Sequence, residues 1–176
     1  MVTRGDTMTV RSADLADCPG IVKVAEDSGE EFSTDDYLIG RPPQGWESLV
    51  AVDEASSVLG WLEGTLDGHV ADHLAHPAHP PPHAYIHAMA VAKENHRRGI
   101  GRQLLAEFVR RARRAGLTWL ALTPMDGAGK EDRALFFRAA GLRCVDPRGP
   151  NQGMVAELAE LLPSSTAGAS PTKGDR

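Results

Sequence analysis

The chain has 176 residues, of which 41% are hydrophobic and 24% charged, proportions typical of one soluble globular domain. Its net charge of −5 argues against a chain-wide basic surface for nucleic acid, and no apolar run reaches the roughly 18 residues that suggest a membrane span. We therefore expect neither a nucleic-acid nor a membrane partner. The two cysteines, Cys18 and Cys144, are too few for a disulfide framework, and the first residues carry no apolar signal-peptide core, so a cytoplasmic protein is expected. Arginine supplies 15 of the 19 basic residues, which favours a bacterial source.

Composition divides the chain into one folded body and three weakly structured stretches. We expect a flexible leader at residues 1–8, a single domain at residues 9–162 and a disordered tail at residues 163–176. The tail consists mostly of small and polar residues, which bury too little apolar surface to order themselves. Within the domain, residues 69–84 are rich in His and Pro and predict a long loop.

Apolar spacing predicts the elements of the first half of the domain. They are, in chain order, a strand at 9–11, a helix opened by Asp14, a short helix at 34–39, a turn at 41–45, and a hairpin of strands 48–52 and 57–63. Pro19 lies near the start of the first helix and predicts either a late start or a kink.

The second half alternates strands with helices. The predicted elements are a strand at 85–91, a helix at 102–115, a strand at 117–123, a helix at 131–140, and two last strands at 142–145 and 153–158. The helix at 102–115 is the clearest, since its apolar residues fall on one stripe and Gly116 follows as a C-terminal stop. This order predicts an α/β or α+β domain with a mixed sheet and helices on both faces.

A turn rich in Arg and Gly joins the strand at 85–91 to the helix at 102–115. Gly99 and Gly101 lack a Cβ, so the backbone there can approach an anion closely. The first N–H groups of a helix have no intrahelical partner and carry the positive end of its dipole. Arg97, Arg98 and Arg102 add full charges that suit a phosphate. The turn therefore predicts a phosphate site; the alternative is a solvated basic turn with a glycine cap.

The residues around this turn resemble the GNAT family of N-acetyltransferases. The family's motif, Gln/Arg-x-x-Gly-x-Gly/Ala at the start of a helix, is matched by His96-Arg97-Arg98-Gly99-Ile100-Gly101, with His96 in place of Gln or Arg. The preceding Met89-Ala90-Val91 and the later stretches 117–123 and 135–142 also match the family's strand and helix order. The resemblance implies a mixed, mostly antiparallel sheet of six or seven strands, with acetyl-CoA as co-substrate. It further implies direct transfer of an acetyl group to a primary amine of a small molecule or peptide.

The resemblance also implies which residues hold acetyl-CoA. Backbone groups of the fourth strand would pair with the pantetheine arm, and those of the turn would bind the pyrophosphate. The implied cofactor-binding residues are Met89, Ala90, Val91, His96, Arg97, Arg98, Gly99, Ile100, Gly101, Arg102 and Phe137. Phe137 stands where many members carry the Tyr that protonates the departing thiolate, so the usual acid is missing.

A general base must take a proton from the attacking amine. The fourth strand, Tyr85 to Val91, is similar to that of serotonin N-acetyltransferases, which carry a His in the place of His87. Imidazole titrates near neutral pH, so His87 is our first candidate. Glu63 is the second, although a solvated carboxylate at a strand end is the simpler interpretation. Tyr85 is a substitute proton donor or a pocket wall. Regular alternation would place Tyr85, His87, Met89 and Val91 on one face of the strand.

The family's acceptor residues come largely from the first helices and their loops. Here that region, residues 26–37, is strongly acidic and contains Phe32 and Tyr37, with Trp46 following. Carboxylates beside aromatic rings would attract a cationic amine, which makes Phe32, Tyr37 and Trp46 candidate substrate-binding residues. The alternative is an acidic helix start over ordinary core aromatics.

Six of the seven histidines lie within 19 positions, from His69 to His87. Imidazole is a common metal ligand, but the segment has no Cys and no recognised ligand spacing, so we expect no metal. Two alternative functions stay open: an acyl-CoA-binding or regulatory module that has lost catalysis, suggested by Phe137, and a metal-binding module built on the histidines. A homodimer is a further expectation, because members of the family are often dimers.

Overall fold

The computed structural model describes residues 8–28, 44–126, 129–147 and 153–161. Its strands and helices, in chain order, are β1 (Thr9–Ser12), α1 (Cys18–Ser28), β2 (Trp46–Val52), β3 (Val58–Gly68), β4 (His83–Val91), α2 (Ile100–Arg114), β5 (Trp119–Leu122), α3 (Lys130–Ala139), β6 (Arg143–Cys144) and β7 (Met154–Glu157). Among the described residues, 3-10 turns lie between them at Leu15–Asp17, Asp72–Leu74 and Lys93–Asn95.

All seven strands form one mixed sheet in the order β1-β2-β3-β4-β5-β7-β6. Every neighbouring pair is antiparallel except β4 and β5, which run parallel. A parallel pair needs a crossover connection, and α2 supplies it. The predicted mixed, mostly antiparallel sheet is therefore confirmed.

The helices cover opposite faces of this sheet, because side chains alternate along each strand. On β2, Leu49 and Ala51 pack in the same core cluster as α2 and α3. Val50 and Val52 point the other way and pack against Ile21 of α1. We call these the α2 face and the α1 face. The core under α2 is the larger and contains the buried rings of Phe108 and Phe137.

Most of the predicted elements are present, with ends that shift by a few residues. The late start at Pro19 is right: Asp14 caps the 3-10 turn at Leu15–Asp17, accepting a hydrogen bond from the Ala16 N–H at 2.8 Å, and α1 begins only at Cys18. Pro19 then lies in the first helical turn, where a missing N–H costs nothing.

The segment after β7 is held against α2 by a hydrogen bond. Arg113, near the end of α2, donates from Nε to the Leu158 carbonyl oxygen at 2.8 Å.

The largest departure is β3, which runs to Gly68 rather than ending at residue 63. A Cβ on Gly64 would lie 2.7 Å from the Phe108 ring, so glycine lets α2 cross the strand here while the ladder to β4 continues. The predicted loop at 69–84 is correspondingly shorter, since β4 begins at His83. Leu74 of this loop is buried against Trp119.

Several predictions fall wholly or partly outside the described residues. These are the leader apart from Met8, the tail at 163–176, the short helix at 34–39, and the candidate acceptor residues Phe32 and Tyr37. Met8 is half-buried against the core. Within the described ranges no helix has the length and apolar character that a membrane crossing requires.

Candidate functional site

The parallel strands β4 and β5 separate in the middle of the sheet. They pair only over Ala84–Leu120, Tyr85–Ala121 and Ile86–Leu122. In the part of the chain that the structure describes, β4 has no partner on this side beyond Ile86. The gap opens into a cleft lined by Ile86, His87, Ala88, Met89, Leu122, Thr123, Pro124, Met125, Arg133 and Phe137. A half-free strand beside a cleft can pair with an extended ligand.

A β-bulge interrupts β4 at the same level. Glu63 of β3 pairs with Ala88 and the next residue, Gly64, pairs with Ile86, so His87 is the extra residue. A bulge reverses the alternation of side chains beyond it. Ile86 and Met89 consequently pack towards α2, while Ala88 packs against α1 residues. The expectation that His87 and Met89 share a face, based on regular alternation, is wrong for this reason.

The bulge places His87 against aromatic rings on the α1 face. Its ring stacks on Trp46 of β2, with centroids 4.5 Å apart and planes inclined by 4°. Tyr85 lies 4.9 Å away at a tilt, and its hydroxyl donates to Thr123 Oγ1 at 3.3 Å. His87 remains exposed to solvent, but partial desolvation by its neighbours lowers its pKa below the usual 6.5, because desolvation disfavours the charged ring. A neutral imidazole at neutral pH can accept a proton. The structure thus brings together His87, Tyr85 and Trp46.

Glu63 lies on the same face and is buried, with 1% of its surface exposed. Neither of its carboxylate oxygens has a hydrogen-bond partner among the described residues. Burial raises the pKa of Glu63 to about 7, and the Ser48 hydroxyl across the strand pair offsets part of this shift without reaching hydrogen-bond geometry. The expectation of a solvated strand-end carboxylate is wrong, because β3 continues past it. A buried acceptor without a donor is costly, and Glu63 is therefore unusual among the described polar side chains of this face.

Two residues of the turn before α2 have a positive φ. Gly99 caps the helix with φ 81° and no capping side chain, and a Cβ there would meet nothing within 4 Å. Arg97 also has positive φ, 63°, a conformation that costs energy in a residue with a Cβ. His96 Nε2 donates to the Val91 carbonyl oxygen at 2.9 Å and ties the turn to the end of β4. The first N–H groups of α2 therefore face outward, without intrahelical acceptors.

Helix α3 closes the cleft from the α2 face. Phe137 lines the cleft and is buried. Arg133, one turn earlier, lines it too, and its Nη2 donates to the Met125 carbonyl oxygen at 2.8 Å. The sequence interpretation missed Arg133; the signal was its spacing of four from Phe137, which puts the two on one side of a helix. Gly101 fits closely under the neighbouring Phe136, whose Cζ would lie 3.3 Å from an added Cβ.

The histidine segment packs on the sheet beside Trp119. His79 stacks on Trp119 with centroids 4.6 Å apart, and its Nε2 lies 3.3 Å from Glu157 Oε1. His83 Nε2 donates to the His79 carbonyl oxygen at 2.8 Å. Among the residues described, no group of three or more His, Cys, Asp or Glu side chains is arranged to hold a metal ion. The segment thus covers the part of the α1 face that α1 leaves open.

Comparison with known proteins links this geometry to a family. The model described as "Acetyltransferase (GNAT) family" matches residues 13–136. That range includes the whole of β4, the turn and α2. No curated protein sequence matches the chain.

Solved structures share the fold at low identity. YhbS from Escherichia coli, described as a GNAT family N-acetyltransferase in complex with CoA, is 20% identical with a TM-score of 0.58, covering 90% of this chain and 86% of that one. The PaiA N-acetyltransferase from Thermoplasma acidophilum, in complex with coenzyme A, is 14% identical with a TM-score of 0.62, covering 86% and 99%. An N-acetyltransferase from Kribbella flavida is 23% identical with a TM-score of 0.57, covering 84% and 95%.

Proposed function

Because this chain belongs to the GNAT family of acetyltransferases, we propose that it transfers an acetyl group directly from acetyl-CoA to a primary amine of a small molecule or peptide. The observation that carries the proposal is that the edge of β4 left free beyond Ile86 leads, along the chain, directly into the turn before α2. Acetyl-CoA has an extended pantetheine arm and a pyrophosphate, so its binding needs a free strand edge and a phosphate-binding turn close together. The composition supports a further proposal, that the enzyme acts in a bacterial cytoplasm.

The residues of the site fit acetyl-CoA. Along Met89, Ala90 and Val91 the backbone groups alternate between β3 and the gap that β5 leaves, so those on the gap side can pair with the amides of the pantetheine arm. The N–H groups from Arg97 to Arg102 can hold the pyrophosphate, aided by the helix dipole. The open space at Gly99 admits a phosphate oxygen to the backbone.

The transfer needs a group that accepts a proton from the attacking amine. The amine nitrogen forms a bond to the acetyl carbon, the carbon–sulfur bond breaks with its electron pair left on sulfur, and the nitrogen loses a proton. We assign that proton to His87, because the ring lines the cleft and its lowered pKa keeps it neutral. A candidate base must first lie within reach of the proton that it accepts, and only then does its pKa matter.

Glu63 has a different part in this proposal. An amine arrives as a cation, and a buried carboxylate without a hydrogen-bond donor among the described residues offers it charge and acceptor atoms. The stacked rings of Trp46 and His87 supply an aromatic wall beside it. Glu63 therefore attracts the ammonium group, and His87 takes its proton.

The donor site is tested with two matched glycine variants. Gly99 and Gly116 have φ of 81° and 79°, and a Cβ at either meets nothing within 4 Å, so G99A and G116A impose the same backbone strain, about 1–2 kcal/mol. Only Gly99 belongs to the phosphate turn. Isothermal titration with CoA should show at least tenfold weaker binding to G99A and unchanged binding to G116A. Equal CoA affinity in the two variants would refute the assignment of the turn.

The chemistry is tested with acetyl-CoA and a panel of amines, by following release of the free thiol. Turnover with any primary amine supports an enzyme, whereas CoA binding without turnover across the panel would favour the acyl-CoA-binding module that Phe137 suggests. For an active amine, H87Q should remove the limb of the pH–rate profile that lies below the usual pKa of a histidine. An unchanged profile and rate in H87Q would mean that His87 is not the base.

A further inference from the structure

The Glu63 carboxylate has a hydroxyl group directly across the strand pair. Ser48 of β2 is the register partner of Glu63 on β3, and both side chains are buried. The Cβ atoms of residues directly opposite each other lie about 4.5–5.5 Å apart, a separation that a serine hydroxyl and a carboxylate can bridge by a change of rotamer. The Ser48 hydroxyl lowers the pKa of Glu63, against the larger effect of burial.

Trp61 occupies an acceptor position of this hydroxyl. Its indole Nε1 donates to Ser48 Oγ at 3.1 Å within the core. An indole N–H can only donate, whereas a serine hydroxyl has one proton and two acceptor positions, so Ser48 accepts from Trp61 and keeps its own proton for another acceptor. Among the described residues Ser48 Oγ donates to no other group, and the Glu63 oxygens have no donor. An available donor and an unsatisfied acceptor thus lie opposite each other.

We propose that Ser48 is a positioning residue for Glu63: Trp61 holds the Ser48 oxygen, and the Ser48 hydroxyl donates to the Glu63 carboxylate when that group ionises. A buried anion needs such a donor more than a neutral carboxyl does, so the hydrogen bond stabilises the ionised form selectively. Since the ionised form attracts the ammonium group in the proposed function, Ser48 sets the pH above which the amine is bound. That consequence rests on the proposed function, whereas the hydrogen bond itself does not.

The charged groups of β2, β3 and α1 near Glu63 face other partners or solvent. On β2, Glu47 points to the α2 face, where its Oε2 lies 2.5 Å from Arg111 Nη1. On β3, Asp67 is exposed near the end of the strand. The buried residues of α1 are all apolar: Ile21, Val24 and Ala25.

The titratable groups of β4 on this side do not replace Ser48 either. Partial desolvation lowers the pKa of His87 and so keeps its ring neutral near pH 7. The Tyr85 hydroxyl donates to Thr123 Oγ1. Among the described groups, burial and the Ser48 hydroxyl are the two influences on the pKa of Glu63.

The test is the ionisation of Glu63 in the free protein, followed by infrared spectroscopy. A protonated carboxyl has a C=O stretch that disappears on ionisation, and subtraction of the E63Q spectrum isolates the band of Glu63. We expect a midpoint at about pH 7 in wild type and at least one unit higher in S48A, because a hydrogen bond to a charged group corresponds to about one to two pKa units. S48T keeps the hydroxyl and should resemble wild type, as should S57A, the matched control at an exposed serine. An unchanged midpoint in S48A would overturn the proposal.

The NMR signal of the Trp61 indole proton provides a second measurement in wild type. Hydrogen bonds in a chain polarise one another, so this signal should shift as Glu63 ionises, with the midpoint of the infrared band, and should stay constant in E63Q. A Trp61 signal that does not respond in wild type would refute the proposal even if S48A failed to fold.

Steady-state kinetics separate this inference from the proposed function. A midpoint raised by one unit lowers the ionised fraction of Glu63 at pH 7 about fivefold, so KM for the amine should rise about fivefold in S48A and approach the wild-type value by pH 9. A ratio of KM values that is the same at both pH values would indicate a purely structural effect and contradict the role of Ser48. If the protein turns over no amine, the proposed function fails, and the infrared midpoint alone decides whether Ser48 donates to Glu63.

Discussion

Replacing Glu63 with glutamine should make the protein more stable and less active over the same range of pH. Glu63 is buried and its pKa is raised to about 7, whereas the usual value is 4.5. The folded state therefore favours the protonated carboxyl. The stabilising effect of this protonated form is fully present below about pH 4.5 and is lost as pH rises through about 7.

The size of the effect follows from the difference of about 2.5 pKa units. Each unit corresponds to about 1.4 kcal/mol, so ionisation of Glu63 lowers the free energy of unfolding by about 3 kcal/mol between pH 4 and pH 8. The glutamine side chain in E63Q has the same shape and no charge, so its contribution to the free energy of unfolding does not fall as pH rises. For a chain of this length, about 3 kcal/mol corresponds to roughly 6–12 °C in Tm.

The activity should move in the opposite direction. The ionised carboxylate attracts the ammonium group in the proposed mechanism, so kcat/KM of wild type should rise as pH passes through about 7. In E63Q this rise should disappear and KM for the amine should increase at least tenfold. The same deprotonation would then weaken the fold and enable the reaction.

Urea unfolding and steady-state kinetics, each measured from about pH 4 to pH 8, check both halves of this prediction. E54Q is the matched control, because Glu54 lies exposed in the turn between β2 and β3 and its curves should parallel those of wild type. A constant difference in unfolding free energy between wild type and E63Q at every pH would refute the buried, raised-pKa carboxylate. A stability difference that follows pH while KM stays unchanged would refute only its role in binding the amine.

Three further substitutions probe other parts of the structure. W46A removes the ring that stacks on His87, so the pKa of His87 should rise towards its usual 6.5 in an NMR titration of the imidazole; a pKa that stays low would mean that other groups bury the ring. R113A leaves the carbonyl oxygen of the buried Leu158 without its donor, which should cost about 1–3 kcal/mol of unfolding free energy and leave CoA affinity unchanged. F137Y adds a hydroxyl to the cleft and should change kcat less than about threefold if the sulfur already leaves as an anion; a large increase in kcat would show that protonation of the sulfur limits the rate.

Sequence reasoning predicted well the features that depend on a pattern of neighbouring residues. An apolar stripe predicts α2, and its residues Leu104, Leu105, Phe108, Val109 and Ala112 are all buried. The stretch rich in Arg and Gly predicts a turn before this helix, and Gly99 caps α2 there with φ 81°. The order of strands and helices predicts the mixed sheet. In each case, a few neighbouring residues determine the local structure.

The features that sequence reasoning missed depend on contacts between distant segments. The bulge at His87 follows from the register of β4 against β3, and no residue type in β4 predicts it. Glu63 looks like the end of a strand because Gly64 follows, yet β3 continues through that glycine, where a Cβ would clash with the Tyr85 carbonyl oxygen and lie 2.7 Å from the Phe108 ring. Burial of the carboxylate, and with it the raised pKa, depends on how distant segments pack on the α1 face and is therefore not visible in the local sequence.

The gap between β4 and β5 also bears on how the protein meets other chains. Unpaired strand edges at the border of a sheet invite pairing with a strand of another protein and so promote aggregation. Here the free half of β4, beyond Ile86, lies in the interior of the sheet, with β3 on its other side and β5 diverging across the gap. A strand of another protein could reach this edge only by entering the gap between β4 and β5. The position of the free edge therefore makes it less accessible to neighbouring proteins than an edge at the border of the sheet.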